Sequence, residues 1–239
     1  MTAQLSKLRL AALNIDGVLL NDTFSPVIHH FVTSRGGSYT ADLERRVFSQ
    51  PQLVAGRELA AALNLRISPQ ETIDLYLRER ERLLREHPVR VRDGAAELLV
   101  RLRRAGLRTV CYGGLDASHF QRHLGDLAHL FDAPGYVCTN DFRPGIREIT
   151  TAIFGLRHDE VLFVDDVARV GEAARELDVA FVGFPSDFPH GFQRQLMEAA
   201  GVRHLIGSAH ELDEALLHRL DAEAVGGVVW GEREREPAA

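Results

Sequence analysis

Several apolar stretches of this sequence end in residues whose side chains or backbone could bind an anion. "LRLAALNI" (8–15) contains Asn14, and Asp16-Gly17 follows directly. Later apolar runs are followed by Gly113-Gly114, by Arg143 and by the pair Asp165-Asp166. Carboxylates, an amide and an arginine in one crevice suit a phosphate or carboxylate anion and a hard divalent cation. The spacing of these residues therefore predicts an anion site that also holds a metal ion.

The elements that position these residues follow a regular order. After Pro88, apolar runs at 107–114, 136–141, 160–166 and 179–184, and a weaker run at 202–208, alternate with amphipathic helical stretches. Strands that alternate with helices of this length predict an α/β fold with a doubly wound parallel sheet. In such a sheet the carboxyl ends of the strands share one edge, which is where ligands bind.

The chain divides by its patterns into a core, an insertion and a tail. Residues 21–88 show one helical pattern after another and no evident strand, which predicts an inserted α-helical cap. The predicted core comprises residues 1–20 and 89–220. Residues 221–239 mix glycine with charge and are predicted to be a disordered tail.

Composition limits the classes of partner. The 239 residues carry a net charge of −6 without a basic cluster, which argues against a nucleic-acid partner. The two cysteines lie in apolar runs, so buried thiols are expected rather than a disulfide framework. Because no apolar stretch has the length of a membrane span or the form of a signal peptide, we expect a cytoplasmic protein without membrane contact. Lys7 is the only lysine.

Taken together, these pieces resemble the haloacid dehalogenase-like (HAD) hydrolase superfamily, in its phosphatase-like branch with a helical cap. Asp16-Gly17-Val18-Leu19 is similar to the second half of that family's first motif, and "VLFVDDVARVGEAARELDVAFVGF" is similar to its fourth. The resemblance extends over roughly residues 8–220. It implies a Rossmann-like core, a cap inserted after the first strand, and phosphoryl chemistry supported by Mg²⁺.

The family's catalytic motifs are degenerate in this chain. The resemblance assigns the nucleophile position to Asn14 and the acid/base position to Asp16. A neutral amide is a poor nucleophile. The family's phosphate-binding hydroxyl corresponds to Gly113, where the backbone N–H groups of Gly113 and Gly114 can cradle an anion or simply form a turn. The family's lysine corresponds to Arg143, which is either a phosphate ligand or a surface arginine.

The resemblance also implies a metal site and a cap contact. Asp165 and Asp166, with the oxygens of Asn14 and Asp16, would bind Mg²⁺ weakly; alternatively, the aspartate pair caps the following helix. His29 and His30 lie early in the first cap helix, which faces the crevice in the family. They are either ligand contacts or partly exposed helix residues.

These assignments lead to one main hypothesis and two alternatives. The main hypothesis is a HAD-like protein without ordinary phosphatase activity that binds a small anionic metabolite, phosphorylated or carboxylated. A protein partner is also compatible with the sequence. The first alternative is an enzyme that uses Asp16 as acid/base on a small metabolite without a covalent intermediate. The second is a weak Mg²⁺-dependent phosphohydrolase.

Overall fold

A five-stranded parallel sheet forms the centre of the protein, a computed structural model of which describes residues 4–231. The strand order is β3-β2-β1-β4-β5. The strands are β1 (Leu10–Asn14), β2 (Arg108–Gly113), β3 (Tyr136–Cys138), β4 (Val161–Asp165) and β5 (Ala180–Gly183). β1 is central because all its residues are apolar up to Asn14, as a strand covered on both faces requires.

Helices cover both faces of the sheet. They are α1 (Ser25–Thr33), α2 (Ala41–Val47), α3 (Gln52–Ala62), α4 (Pro69–Leu83), α5 (Ala95–Arg104), α6 (Ala117–Leu124), α7 (Ala168–Glu176), α8 (Gln193–Ala199) and α9 (Glu214–Gly226). A π-helical turn, Glu148–Ile153, precedes β4. In β1, Ala11 and Leu13 belong to the core on one face, whereas Leu10 and Ala12 belong to the other. The doubly wound α/β class predicted from the sequence is thereby confirmed.

Helices α1 to α4 lie in the insertion between β1 and α5. No strand occurs among residues 21–88, all of which the structure describes. The helices of the insertion form several hydrogen bonds with the rest of the protein. The buried Glu44 carboxylate accepts from Phe192 N and Gln193 Nε2, and Gln52 N donates to Asn140 Oδ1 over 3.0 Å. The cap boundaries at 21 and 88 remain a prediction.

The strand predicted at 202–208 is wrong. The segment makes a single parallel bridge, from Leu205 to Gly183, and Ile206 N donates to Gly183 O. The chain then leaves the sheet, because the Ser208 hydroxyl accepts from His210 N and starts a short 3-10 turn. Among residues 4–231, no helix is both long enough and apolar enough to cross a bilayer.

The disorder predicted from residue 221 onward is also wrong for residues 221–231. Asp221 lies inside α9, and its carboxylate accepts from Ser6 N, Ser6 Oγ, Lys7 N and Leu8 N at 2.7–2.8 Å. Trp230 Nε1 donates to Val179 O. Because these bonds join α9 to the segment before β1, the helix is part of the core. Residues 232–239 lie outside the described residues.

Replacing Asp221 with alanine should therefore destabilise the whole fold. Three backbone N–H groups would lose a charged acceptor, so we expect a loss of about 2–4 kcal/mol in the free energy of unfolding. Burial opposes ionisation of Asp221, but the hydrogen bonds from Leu8, Ser6 and Lys7 outweigh it and lower its pKa. The contribution is therefore present above the pKa of the unfolded chain and is lost as pH falls through the folded pKa.

Urea unfolding of Asp221→Ala at neutral and acid pH measures this effect. Asp126→Ala, at an exposed position, is the matched control. Equal stability of the Asp221 variant and the control at neutral pH would show that α9 does not depend on these bonds.

Candidate functional site

A cavity of about 120 Å³ lies between the cap helices and the carboxyl ends of the central strands. It brings together five of the predicted site residues, namely Asn14, Asp16, Gly114, Arg143 and Asp166. Four others do not line it: Gly113, Asp165, His29 and His30. The parallel sheet explains the first group, because residues that follow neighbouring strands meet at the same edge.

The Asn14 side chain forms hydrogen bonds with three groups of the protein itself. Its Nδ2 donates to Asp16 O and to Asp166 Oδ1, both over 2.9 Å, and its Oδ1 accepts from Ile15 N over 3.0 Å. The Ile15 N–H fixes the orientation of the amide, because turning the amide over would set two N–H donors against each other. Asn14 therefore presents its nitrogen, a donor, to two converging oxygens.

Asp16 has a partner that the sequence analysis missed. Its Oδ1 lies 3.0 Å from Nε2 of His119, and both side chains are about nine-tenths buried. His119 lies in the first turn of α6, which begins at the Asp116 N-cap just after β2. The available signal was its position directly after a strand end that carries other site residues. The two side chains form a buried carboxylate–imidazole pair at the cavity wall.

The two adjacent aspartates point to different places. Asp165 is fully buried, and its carboxylate accepts from the Tyr112 hydroxyl and from Val167 N. The prediction that Asp165 is a metal ligand in the crevice is therefore not supported by its placement, because both oxygens already have partners. Asp166 lines the cavity and approaches Gly17 so closely that a Cβ there would lie 2.1 Å from Asp166 Oδ2. Glycine at this position, with φ of 85°, permits the approach.

Burial governs the ionisation of this pair. It raises the pKa of Asp165 to about 6, although hydrogen bonds from Tyr112 and Val167 oppose the shift. Burial, followed by the charge of Asp165, raises the pKa of Asp166 well above its ordinary value. The hydrogen bond from Asn14 to Asp166 stabilises the charged form only in part.

The predicted magnesium ligands do not fit the ion. Mg²⁺ requires oxygen lone pairs arranged octahedrally at about 2.1 Å. Here the Asn14 amide nitrogen lies between the two oxygens, Asp16 O and Asp166 Oδ1, that a cation would take. Among residues 4–231, no group of three or more His, Cys, Asp or Glu side chains is placed to hold a metal ion. The amide thus occupies the position that a cation would need.

Arg143 is a cavity cation without an ion pair to any described residue. It makes no hydrogen bond with another residue of this part of the chain, and its buried Nε has no acceptor. Its guanidinium lies over Gly114, where an added Cβ would be 2.2 Å from Nη2. Gly113, by contrast, faces Ile15, whose Cγ2 would be 2.5 Å from an added Cβ. Of the two glycines only Gly114 lines the cavity, and the glycine at 113 accommodates Ile15; the anion cradle stays a prediction.

The two cap histidines point away from the cavity. His29 stacks on His190 with ring centroids 4.4 Å apart, and His30 Nε2 lies 3.4 Å from Glu79. Neither histidine lines this cavity, and their contact with a ligand stays a prediction. The side chains of Phe24, the N-cap of α1, and Ile28, one helical turn later, line the cavity. His29 and His30, the next two residues of the helix, therefore face other directions.

Solved structures share this architecture. A phosphonoacetaldehyde hydrolase-like protein from Oleispira antarctica superposes with a TM-score of 0.69 at 14% identity, over 94% of this chain and 96% of that one. A conserved haloacid dehalogenase-like protein of unknown function from Agrobacterium tumefaciens superposes with a TM-score of 0.63 at 18% identity, over 89% of this chain and 99% of that one. A HAD family hydrolase from Deinococcus radiodurans R1, with bound phosphate and sodium, superposes with a TM-score of 0.59 at 18% identity, over 92% of this chain and 97% of that one. No family model and no curated protein matches the chain.

The geometry of Asn14 predicts how the protein responds to magnesium. Millimolar MgCl₂ should leave the melting temperature of the wild type unchanged relative to NaCl of equal ionic strength. Asn14→Asp should melt lower without metal, because it sets a buried carboxylate against Asp166 and Asp16 O. Mg²⁺ should then stabilise this variant by about 1–3 kcal/mol, since three oxygens converge in it.

Differential scanning fluorimetry distinguishes these outcomes. Asn64→Asp adds the same charge at an exposed position and serves as the control. A specific Mg²⁺-induced rise in the wild-type melting temperature would contradict the assignment of Asn14 as a substitute for the cation.

The buried aspartate pair predicts an unusual dependence of stability on pH. A carboxyl group whose folded pKa is raised stabilises the fold below its unfolded pKa, and this stability is lost as pH rises through the folded pKa. Asp166→Asn removes one charge and retains an acceptor for Asn14. Between about pH 5 and about pH 8, the free energy of unfolding of the variant should rise relative to that of the wild type by on the order of 1–3 kcal/mol.

Thermal unfolding at both pH values tests this, with the exposed Asp126→Asn as control. Parallel pH profiles for Asp166→Asn and wild type would show that the pair does not titrate in this range.

Proposed function

Because the chain has the haloacid dehalogenase-like fold with an amide at position 14, we propose that it binds a small anionic ligand without hydrolysing it. The observation that carries this proposal is the Arg143 guanidinium, which lines the cavity and has no carboxylate within ion-pair distance among residues 4–231. A buried donor on a charged group is costly when it lacks an acceptor. A phosphate or carboxylate would supply two acceptor oxygens in the planar geometry that guanidinium groups match.

The other cavity residues support binding in preference to turnover. Asn14 is neutral, and its Oδ1 accepts from the Ile15 N–H, so it offers neither the charge nor the free orientation of an attacking carboxylate. The absence of a negative charge at position 14 also lessens repulsion against an incoming anion. Lys7, the only lysine of the chain, pairs with Asp159 and does not line the cavity.

The names of the structural neighbours are consistent with a ligand that carries a phosphate or phosphonate group. One of them was solved with bound phosphate, and another is named for the hydrolysis of a phosphonate. We extend to this chain only the class of anion, not the reaction. A cytoplasmic location and a protein partner remain predictions.

The Asp16–His119 pair favours a second candidate, acid/base chemistry without a covalent intermediate. Asp16 lines the cavity and His119 stands behind it, so a ligand would exchange its proton with Asp16. Such a reaction would be abolished in Asp16→Asn and retained in Asn14→Ala. The weak Mg²⁺-dependent phosphohydrolase is less well supported, because the Asn14 nitrogen occupies the position that a cation would need.

Binding of orthophosphate should depend on Arg143. We expect orthophosphate to raise the melting temperature of the wild type and to have at least tenfold lower affinity for Arg143→Gln, because a charged hydrogen-bond pair contributes about 1.5–3 kcal/mol. Arg147→Gln, at an exposed position four residues on, should bind as the wild type does. Isothermal titration calorimetry gives the affinities. Equal binding by Arg143→Gln would remove the basis of the proposal.

Turnover is tested with a panel of phosphomonoesters and Mg²⁺. The wild type should release phosphate no faster than Asn14→Ala, which has no functional group at the nucleophile position. A wild-type rate clearly above that of Asn14→Ala would show that Asn14 takes part in hydrolysis and would contradict a purely binding role.

A further inference from the structure

The two sides of the cavity differ in chemistry. The core side contributes mainly polar groups, including Asn14, Asp16, Asn140, Arg143 and Asp166. The cap side contributes an apolar wall made of Phe24, Ile28, Val47, Phe48, Ala55, Leu59, Ile73 and Leu77. When the anionic group of a ligand in this cavity contacts Arg143, the rest of the ligand therefore contacts the apolar wall.

The apolar wall is already withdrawn from bulk solvent. Leu59 is 1% exposed, and Ile28, Val47 and Ile73 are each 5% exposed, although all of them border the cavity. Their side chains thus lack packing partners on one side, where dispersion contacts are lost. Water molecules are poorly stabilised beside such a wall, because few hydrogen-bond partners are available to them there. An apolar group would restore the missing contacts.

Few polar groups of the cap are free to bind a hydroxylated ligand. Gln52 is engaged with Gly114 O through Nε2 and with Asn140 Oδ1 through its backbone N–H. The Ser49 and Tyr76 hydroxyls line the cavity and are buried without a hydrogen-bond partner in the described chain. Ser49 has φ of 52°, a left-handed conformation that is uncommon outside glycine. The Gln50 side chain also lines the cavity and makes no hydrogen bond with another described residue. These three groups are few beside the eight apolar side chains of the wall, so they suit one or two polar substituents rather than a polyol.

We propose that the ligand is an amphiphilic acid, with one phosphate or carboxylate group on a largely apolar body. The anionic group binds at Arg143, and the body fills the space enclosed by the apolar wall of the cap. This inference rests on the proposed function and deepens it by naming the ligand class. It disfavours sugar phosphates of comparable size, because most of their hydroxyls would face the apolar wall and lose hydrogen bonds to water.

Two series of probes test the assignment by calorimetry. Straight-chain carboxylates from acetate to octanoate, and alkyl phosphates from methyl to hexyl, lengthen the apolar body at a constant anion. Each added CH₂ should tighten binding about threefold to fourfold until the cavity is full, after which affinity should level off. Propyl phosphate should bind at least tenfold more tightly than glycerol phosphate, which has the same carbon count with two hydroxyls added.

A cavity-filling variant supplies the structural control. Ala55→Leu places extra volume inside the cavity and should weaken octanoate binding by a clearly larger factor than it weakens orthophosphate binding. Ala61→Leu adds the same volume at an exposed position of the same helix and should bind both probes as the wild type does.

The outcomes separate the two proposals. Affinity that is independent of chain length, with orthophosphate still bound through Arg143, would overturn the amphiphilic assignment and leave the proposed function intact. The anion site itself would be overturned by two results together. Affinity would increase with chain length equally in the wild type and in Arg143→Gln, and the wild type would not bind orthophosphate. Preference for glycerol phosphate over propyl phosphate would also overturn the amphiphilic assignment.

Discussion

The hydrogen bonds of one side-chain amide determine the chemistry of this site. Asn14 Nδ2 donates both to the backbone carbonyl of Asp16 and to the carboxylate of Asp166, and so joins the loop after β1 to the loop after β4. Those two oxygens would otherwise face each other in a buried space, where unpaired acceptors are costly. The amide satisfies them without a net charge.

The charge balance of the cavity follows from this arrangement. Asp166 has the Asn14 donor, and Asp16 has His119, so both carboxylates at the cavity already have partners. Arg143 has no hydrogen-bond or ion-pair partner among the described residues, although burial raises the pKa of Asp165 and the Arg143 charge partly opposes that rise. The cap completes the site with hydrocarbon, so that charge recognition is confined to the core side. The fold is that of the haloacid dehalogenase-like proteins, and we propose that this donor set retains an anion rather than attacking it.

The sequence predicted the sheet and most of the cavity floor. Parallel strands bring their carboxyl ends together, so Asn14, Asp16, Arg143 and Asp166 could be grouped by their positions after successive apolar runs. Those positions could not separate Asp165 from Asp166, since the direction of each side chain at a strand end depends on the local backbone. The sequence also could not show which face of α1 turns toward the cavity. The residues that reach the cavity are Phe24 and Ile28 rather than the two histidines that follow.

The remaining errors arose from long-range contacts. The role of Asp221 depends on Ser6, 215 residues away in the chain, and no local pattern of glycine and charge reveals such a partner. His119 was missed for a related reason, because its pairing with Asp16 spans 103 residues.

The side-chain ¹⁵N–¹H resonances of Asn14 test the central claim most directly. If the amide binds Asp16 O and Asp166 Oδ1, its two protons should be shifted downfield, should exchange slowly with water, and should not move when Mg²⁺ is added. Disappearance or a large shift of these resonances on addition of Mg²⁺, with no change in the Asn64 amide, would show that a cation displaces the amide and would contradict the account.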